Sequence, residues 1–328
     1  MVDADAFVRE TEPYRRELLA HCYRMLGSVF DAEDLVQETY LRAWRHYEGF
    51  EGRSSVRTWL HQIATNGCLT ALSQRERAGR RELPSGLCGP EQDPESAVLE
   101  ADPHTRWLEP LPDALVTPES GDPAAVVAAR EGVRLALVAG LQHLPPRQRA
   151  VLILRDVLAF SAEEVAQMLE TSTASVKSAL QRARATLRDR APTAHRITEP
   201  TAPQARAVLD SYIKAFENAD ADLLRRLLLR DATIEAPPVR AWFSGRATCV
   251  PVLRDRVMGE PGRWRMLPAS SGANGHPAAG VYLRDEYGEY RPYGVVVLEV
   301  VGDRVGRIIS FDDPRLLAVF GFEREREW

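Results

Sequence analysis

The stretch from Ser161 to Arg190 constrains this chain more than any other. SAEEVAQML places a serine first, Glu163 and Glu164 in the first turn, and Val165, Ala166 and Leu169 on one stripe. Serine with glutamate three residues later satisfies two otherwise orphaned backbone N–H groups, so a helix capped by Ser161 is expected. ETST then breaks the pattern, and Thr173 is expected to cap a second helix, TASVKSALQRARATL. Its Val176, Leu180, Ala183 and Leu187 recur at helical spacing and can pack inward. Ser175, Lys177, Ser178, Gln181, Arg182 and Arg184 are left to face outward. Two helices joined by a short turn form a helix-turn-helix. Small polar groups at the leading end suit base edges, and the cations behind them suit phosphates. The bland alternative is a solvated helix face in a bundle.

A chain of 328 residues is too long for one ordinary domain. From Ala4 to about Arg77 the pattern is helical. DAEDLVQETYLRAWRHY starts at Asp31, a plausible N-cap, and Leu35, Thr39 and Ala43 fall on one face with Tyr40 and Trp44 beside them. VRTWLHQIATNGCLTALSQR reads as a second amphipathic helix with Trp59, Ile63 and Leu69 toward a core. The composition then shifts: residues 78–123 are rich in proline and glycine, with about ten acids against two arginines between Arg81 and Pro123, and read as a flexible linker. Helical periodicity returns over 124–190, and 191–203 is a second linker. From 204 to 323 a helix pair precedes strand-like runs, among them VVVLEV-VGDR-VGRIISF, a hairpin closed by a Gly-Asp turn. Helices followed by a meander indicate an α+β domain.

The net charge of −5 argues weakly against nucleic acid, but the acids concentrate in the linker while Val126 to Arg190 is net basic. Cys22, Cys68, Cys88 and Cys249 are scattered, with no metal-binding or disulfide spacing. No cofactor or metal is expected. The chain has no apolar run long enough to span a membrane and no signal-peptide core, so no membrane partner and a cytoplasmic location are expected.

DAEDLVQETYLRAWRHYEGFEGRSSVRTWLHQIATNGCLTAL resembles region 2 of the extracytoplasmic-function sigma-70-type sigma factors of RNA polymerase. LPPRQRAVLILRDVLAFSAEEVAQMLETSTASVKSALQRARATLR resembles their region 4. The resemblance implies two all-α sigma domains, a region 2 helical bundle and a region 4 helix-turn-helix. It implies core RNA polymerase as partner, with Asp34, Gln37 and Glu38 facing the clamp helices of the largest subunit, and promoter DNA as the second partner. In the family the −10 element is melted around the loop Phe50–Ser55 and the following helix, which here points to Arg53, Arg57 and Asn66. Thr70 and Ser73 stand where the family carries an acid and a basic residue. Region 4 reads the −35 element, with Arg147 and Arg149 of LPPRQR helping to hold phosphates and dock the polymerase flap.

Within the acidic linker, WLEPLPD (Trp107, Leu108, Glu109, Pro110 to Asp113) looks like a docking peptide, and resembles a linker motif of sigma factors that carry a C-terminal SnoaL-like domain. The last segment resembles that α+β SnoaL-like cone. The resemblance implies a cavity for a small apolar ligand, lined by Tyr212, Phe216, Trp242, Trp264, Tyr282, Tyr293 and Asp312. No carboxylate pair is fixed by spacing, so catalysis is not expected. Three readings follow: a sigma factor regulated by its own cone, a ligand-responsive helix-turn-helix regulator, and an isomerase or cyclase fused to a DNA-binding module. The acidic helix and the ATN-bearing helix favour the first.

Overall fold

Residues 4–74, 79–118, 129–190 and 202–323 are described by the computed structural model. They fall into two compact units, one made of residues 1–81 with 115–193, the other of 82–114 with 194–328. The expected start of the second helical segment at 124 and most of the expected linker 191–203 lie outside the described residues.

The first unit opens with α1 (Ala4–Thr11), α2 (Arg15–Leu26), α3 (Val29–His46) and α4 (Val56–Gln74). Ser28, not Asp31, caps α3: its Oγ accepts the Asp31 N–H at 3.1 Å, so the helix begins three residues earlier than expected. Leu18, Cys22, Tyr23, Met25, Ala32, Val36, Leu60 and Ala64 form the buried centre. On α4 the expected inward face is displaced. Trp59, Ile63 and Leu69 are half-buried, and the buried face carries Thr58, Leu60, His61, Ala64, Thr65 and Cys68. A helix whose buried face holds two threonines and a histidine hides from a reading of apolar spacing.

Four more helices belong to this unit: α5 (Leu135–Gln142), α6 (Pro146–Leu152), α7 (Ala162–Met168) and α8 (Thr173–Arg190), with one π-helical turn, Ile153–Val157, after α6. They lie against the first four. Arg149 donates to the Met25 carbonyl, to Gln142 Oε1 at 2.7 Å, and to the Gln142 and Leu144 carbonyls at 2.9 and 3.2 Å. Gln142 Nε2 donates to the Arg24 carbonyl at 3.2 Å, and Arg24 Nε to the Gly132 carbonyl at 2.7 Å.

The second unit is α+β. Helices α9 (Ala202–Glu217) and α10 (Ala221–Leu227) lead into β1 (Leu228–Glu235) and β2 (Trp242–Ser244), followed by α11 (Arg246–Val252). Then come β3 (Trp264–Pro268), β4 (Ala278–Arg284), β5 (Tyr290–Val301), β6 (Arg304–Phe311) and α12 (Arg315–Val319). The six strands run β2-β1-β6-β5-β4-β3, with β1–β6 the only parallel pair. The β5–β6 hairpin closes at Gly302-Asp303 with Gly302 at φ +62°, as expected. A register shift beside Gly294 bends β5 against β4, and a methyl group at Gly294 would meet the Phe311 carbonyl oxygen at 2.0 Å. Tyr212, Phe216, Leu224, Phe243, Trp264, Met266, Val281 and Leu298 pack into one core under the sheet.

Candidate nucleic-acid interface and the docked linker

Ser161 caps α7 in a full capping box: its Oγ accepts the Glu164 N–H at 3.1 Å, and Glu164 accepts the Ser161 N–H at 2.8 Å. Such a cap contributes about 1 kcal/mol. The cap of α8 is Ser172, whose Oγ accepts the Ser175 N–H at 3.2 Å, so the expected role of Thr173 moves back one residue. Val176 and Ala183 are buried and Leu180 and Leu187 half-buried, which turns Ser175, Lys177, Ser178, Gln181, Arg182 and Arg184 to the exposed side. Two cations there are already engaged. Arg182 Nη1 donates to Ser178 Oγ at 2.6 Å, and Arg184 closes a two-point ion pair on Asp156. Lys177, Gln181, Arg184 and Arg188 rim a groove over Leu180. Arg188 escaped the sequence reading, although its spacing of four from Arg184 places it on that same face.

Asp34, Gln37 and Glu38 are exposed along α3, where Glu38 pairs with Arg42 at 2.5 Å. Leu41 stands 56% exposed beside them and was also missed; an apolar residue on a charged ridge is the signal that could have found it. Arg53 is exposed and 3.1 Å from Glu51. Phe50 stacks on Trp59 with ring centroids 4.7 Å apart. Asn66 and Ser73 are exposed, and Thr70 Oγ1 donates to the Asn66 carbonyl at 2.9 Å. Arg57 is not free: it binds Glu17 at 2.7 and 3.1 Å and the Leu158 carbonyl at 3.0 Å. Arg147 is exposed, but Arg149 is only 3% exposed. Its expected role at phosphates is corrected in this arrangement, because its donors are spent on carbonyls and an amide. Burial lowers its pKa to about 10.

The acidic segment is not a free spacer. Its two limbs pair through Glu82 N–H to the Arg106 carbonyl and Leu108 N–H to the Glu82 carbonyl, both at 2.9 Å. Ser85 N–H reaches Glu235 Oε2 at 3.0 Å, and Arg307 donates to Glu235 Oε1 at 2.8 Å, Glu299 Oε1 at 3.3 Å and Ser85 Oγ at 3.2 Å. Trp242 Nε1 donates to the Cys88 carbonyl at 2.8 Å, so Trp242 holds the linker at the sheet edge rather than lining a cavity as expected. Arg256 donates to the Pro94 and Ala97 carbonyls, both at 2.8 Å. In WLEPLPD, Leu108, Pro110 and Asp113 are buried, and Trp107 and Glu109 half-buried. Leu111 N–H donates to Asn274 Oδ1 at 2.8 Å, and Asp113 Oδ1 accepts the Gly275 N–H at 2.9 Å. Burial of Leu108 and Leu111 contributes roughly 2 kcal/mol each.

In the second unit, Tyr212 and Trp264 are buried core residues, and Tyr282 donates its hydroxyl to the Glu323 carbonyl at 2.8 Å. Asp312 accepts from Tyr293 at 2.6 Å and Ser310 at 2.7 Å. Burial raises the Asp312 pKa to about 6, although both hydrogen bonds pull it down. No group of three His, Cys, Asp or Glu able to hold a metal occurs among the described residues, and no helix among them is long and apolar enough to cross a membrane.

Residues 11–78 match the family model for sigma-70 region 2, and residues 134–187 match that for sigma-70 region 4. The ECF RNA polymerase sigma factor SigG of Mycobacterium tuberculosis is 50% identical over 318 residues, which span 96% of this chain and 83% of that one. This chain belongs to the ECF RNA polymerase sigma factors. SigJ of the same organism is 32% identical over 229 residues, 69% of this chain and 63% of that one. A crystal structure of SigJ shares the fold, with a TM-score of 0.57 and 23% identity over 97% of this chain and all of that one. The sigma factor thus combines region 2 and region 4 with a C-terminal α+β domain, and its function is transcription initiation with core RNA polymerase at promoter DNA.

Proposed function

We propose that the sigma factor is restrained by its own C-terminal domain, which holds the segment joining region 2 to region 4. The observation that carries this reading is the docking of residues 82–114 through Ser85, Cys88, Leu111 and Asp113. A linker that resembles those threading the polymerase channel cannot occupy the channel and the cone together. Its release therefore costs the free energy of these contacts.

In this reading α3 meets the polymerase clamp through Asp34, Gln37 and Glu38, acids and an amide that suit a cationic partner helix. Ser175, Ser178 and Gln181 meet base edges of the −35 element. Lys177, Arg182, Arg184 and Arg147 meet phosphates, and Arg53, Asn66 and, once freed, Arg57 serve the −10 element. The SnoaL-like domain takes a small apolar molecule at the Tyr293–Asp312 pair, where the buried acid offers a hydroxyl or carbonyl group its one polar anchor.

Run-off transcription with core polymerase tests the restraint, comparing the parent chain with the double variant Asn274→Gly and Trp242→Phe. Glycine suits the φ of +52° at position 274, and phenylalanine keeps the ring while deleting the N–H donor. Together they remove the side-chain bonds to the Leu111 N–H and the Cys88 carbonyl, while the backbone bond from residue 274 N–H to the Leu111 carbonyl stays. Transcript yield should rise several-fold from the same promoters. Unchanged yield would oppose the restraint, and altered promoter choice would give the cone a part in DNA readout instead.

A further inference from the structure

His21 on α2 and His61 on α4 lie side by side where region 4 covers region 2. Both are fully buried, with ring centroids 5.6 Å apart. His61 Nδ1 lies 2.9 Å from the Arg57 carbonyl oxygen. A carbonyl only accepts, so Nδ1 carries the proton and Nε2 presents a lone pair. That lone pair faces Glu17 Oε1 at 3.3 Å, two acceptors with no proton between them. His21 Nε2 meets Thr65 Oγ1 at 2.9 Å. His21 Nδ1 and His61 Nε2 have no hydrogen-bond partner, an arrangement that proteins seldom leave buried without a use.

The same carboxylate holds the contact between the two regions. Glu17 accepts both bonds from Arg57, and Arg57 Nη2 also donates to the Leu158 carbonyl at 3.0 Å. The Arg57 guanidinium lies 4.2 Å from the centroid of Phe160, whose ring meets His61 edge-on at 5.1 Å. Thr58 Oγ1 donates to Glu164 of α7 at 3.3 Å.

We propose that the His21–His61 pair is a proton-operated release for the packing of region 4 on region 2. A proton taken up at His61 Nε2 turns the facing lone pair into a donor aimed at Glu17 Oε1. The carboxylate then divides between His61 and Arg57, and Arg57 loosens its hold on Leu158 and Phe160. The charge also disfavours an apolar lid, so water enters as Phe160 lifts.

The charged groups around the pair come from α2, α4 and two elements of region 4, the π-helical turn and α7. α2 supplies Glu17 and Arg24, α4 supplies Arg57, and region 4 supplies Glu164 and Arg155, which donates to the Phe160 carbonyl. Glu17 favours the proton, whereas Arg24 and Arg57 oppose it. Burial outweighs them all, taking His61 down to about 4 and His21 well below its ordinary value. With region 4 lifted, His61 returns toward the ordinary 6.5. Closure is therefore complete above that ordinary value and is lost as pH falls toward the closed-state value. Between pH 7.5 and pH 5 this one ring changes the open-to-closed ratio roughly 30-fold.

The test uses the full chain with Cys88→Ser and dyes on Arg45→Cys and Gln167→Cys, labelled at pH 7.5 and read by energy transfer. Transfer should change reversibly below pH 6.5, and His61→Gln should remove most of that pH dependence while His21→Gln removes less. A parent signal flat down to pH 5, or a His61→Gln curve equal to the parent's, overturns the proposal. Should His61→Gln fail to fold, histidine-ring NMR of the parent decides. A His61 titration sharing the midpoint of the transfer change supports the release, and a titration that leaves transfer unchanged overturns it.

Discussion

Arg184 on α8 and Asp156 on the π-helical turn after α6 face each other squarely, Nε to Oδ2 at 2.8 Å and Nη2 to Oδ1 at 2.7 Å. This ion pair leaves Arg184 less cation to offer DNA than Arg182, which donates to the neutral Ser178 hydroxyl. Each phosphate neutralised on B-DNA contributes about −0.9 to the slope of log binding constant against log salt. Arg182→Ala should therefore reduce the magnitude of that slope by about one, and Arg184→Ala by clearly less. Fluorescence anisotropy with a −35 duplex across salt concentrations reads both. Equal losses would mean that Asp156 releases Arg184 to the backbone.

Arg149 should prove structural rather than DNA-binding. Its guanidinium serves three carbonyls and an amide oxygen in the interior of the first unit. Removing it leaves buried acceptors unsatisfied, so Arg149→Ala should destabilise this unit by about 3 kcal/mol in urea unfolding. Lysine cannot reproduce the planar fork and should rescue little. A fully stable Arg149→Ala chain with weakened DNA binding would restore the phosphate role expected from sequence.

Asp312 gives the C-terminal α+β domain a pH signature. Its pKa in the fold is about 6, above the ordinary carboxyl value of 3.8, chiefly through burial. The folded state thus prefers the protonated acid, and stability present below the ordinary value is lost as pH rises through 6. The loss is roughly 3 kcal/mol at most. Asp312→Asn should raise the melting temperature of this domain at pH 7.5 and leave it unchanged at pH 4. Calorimetry at the two pH values checks this, and a destabilised variant at pH 7.5 would show that the ionised acid is wanted.

Much of this architecture was legible in the chain. The capping box at Ser161, the inward Val176 and Ala183, and the Gly302-Asp303 turn all follow local rules, and local rules survive folding. Boundaries slipped where a serine stood earlier, three residues for Ser28 against Asp31 and one residue for Ser172 against Thr173. What stayed hidden depends on distant partners. Trp242 reads as a cavity aromatic until Cys88 is found on its N–H, and Arg149 reads as a phosphate ligand until Met25 and Gln142 surround it. The linker misled for a similar reason. Acids and prolines describe a spacer in solution, but Leu111 and Asp113 have partners more than 150 residues away in Asn274 and Gly275, and Leu108 is fully buried.

Hydrogen exchange of residues 82–114, followed by mass spectrometry with and without core polymerase, tests the restraint most directly. In the free protein the Leu108, Leu111 and Asp113 amides donate to the Glu82 carbonyl, to Asn274 Oδ1 and to the Gly272 carbonyl, so they should exchange slowly. On binding core enzyme, peptides covering Glu82 to Ala114 should lose that protection together with the Asn274 loop. Protection that persists unchanged in the transcribing complex would contradict the account, because the linker would then remain on the cone while the sigma factor works.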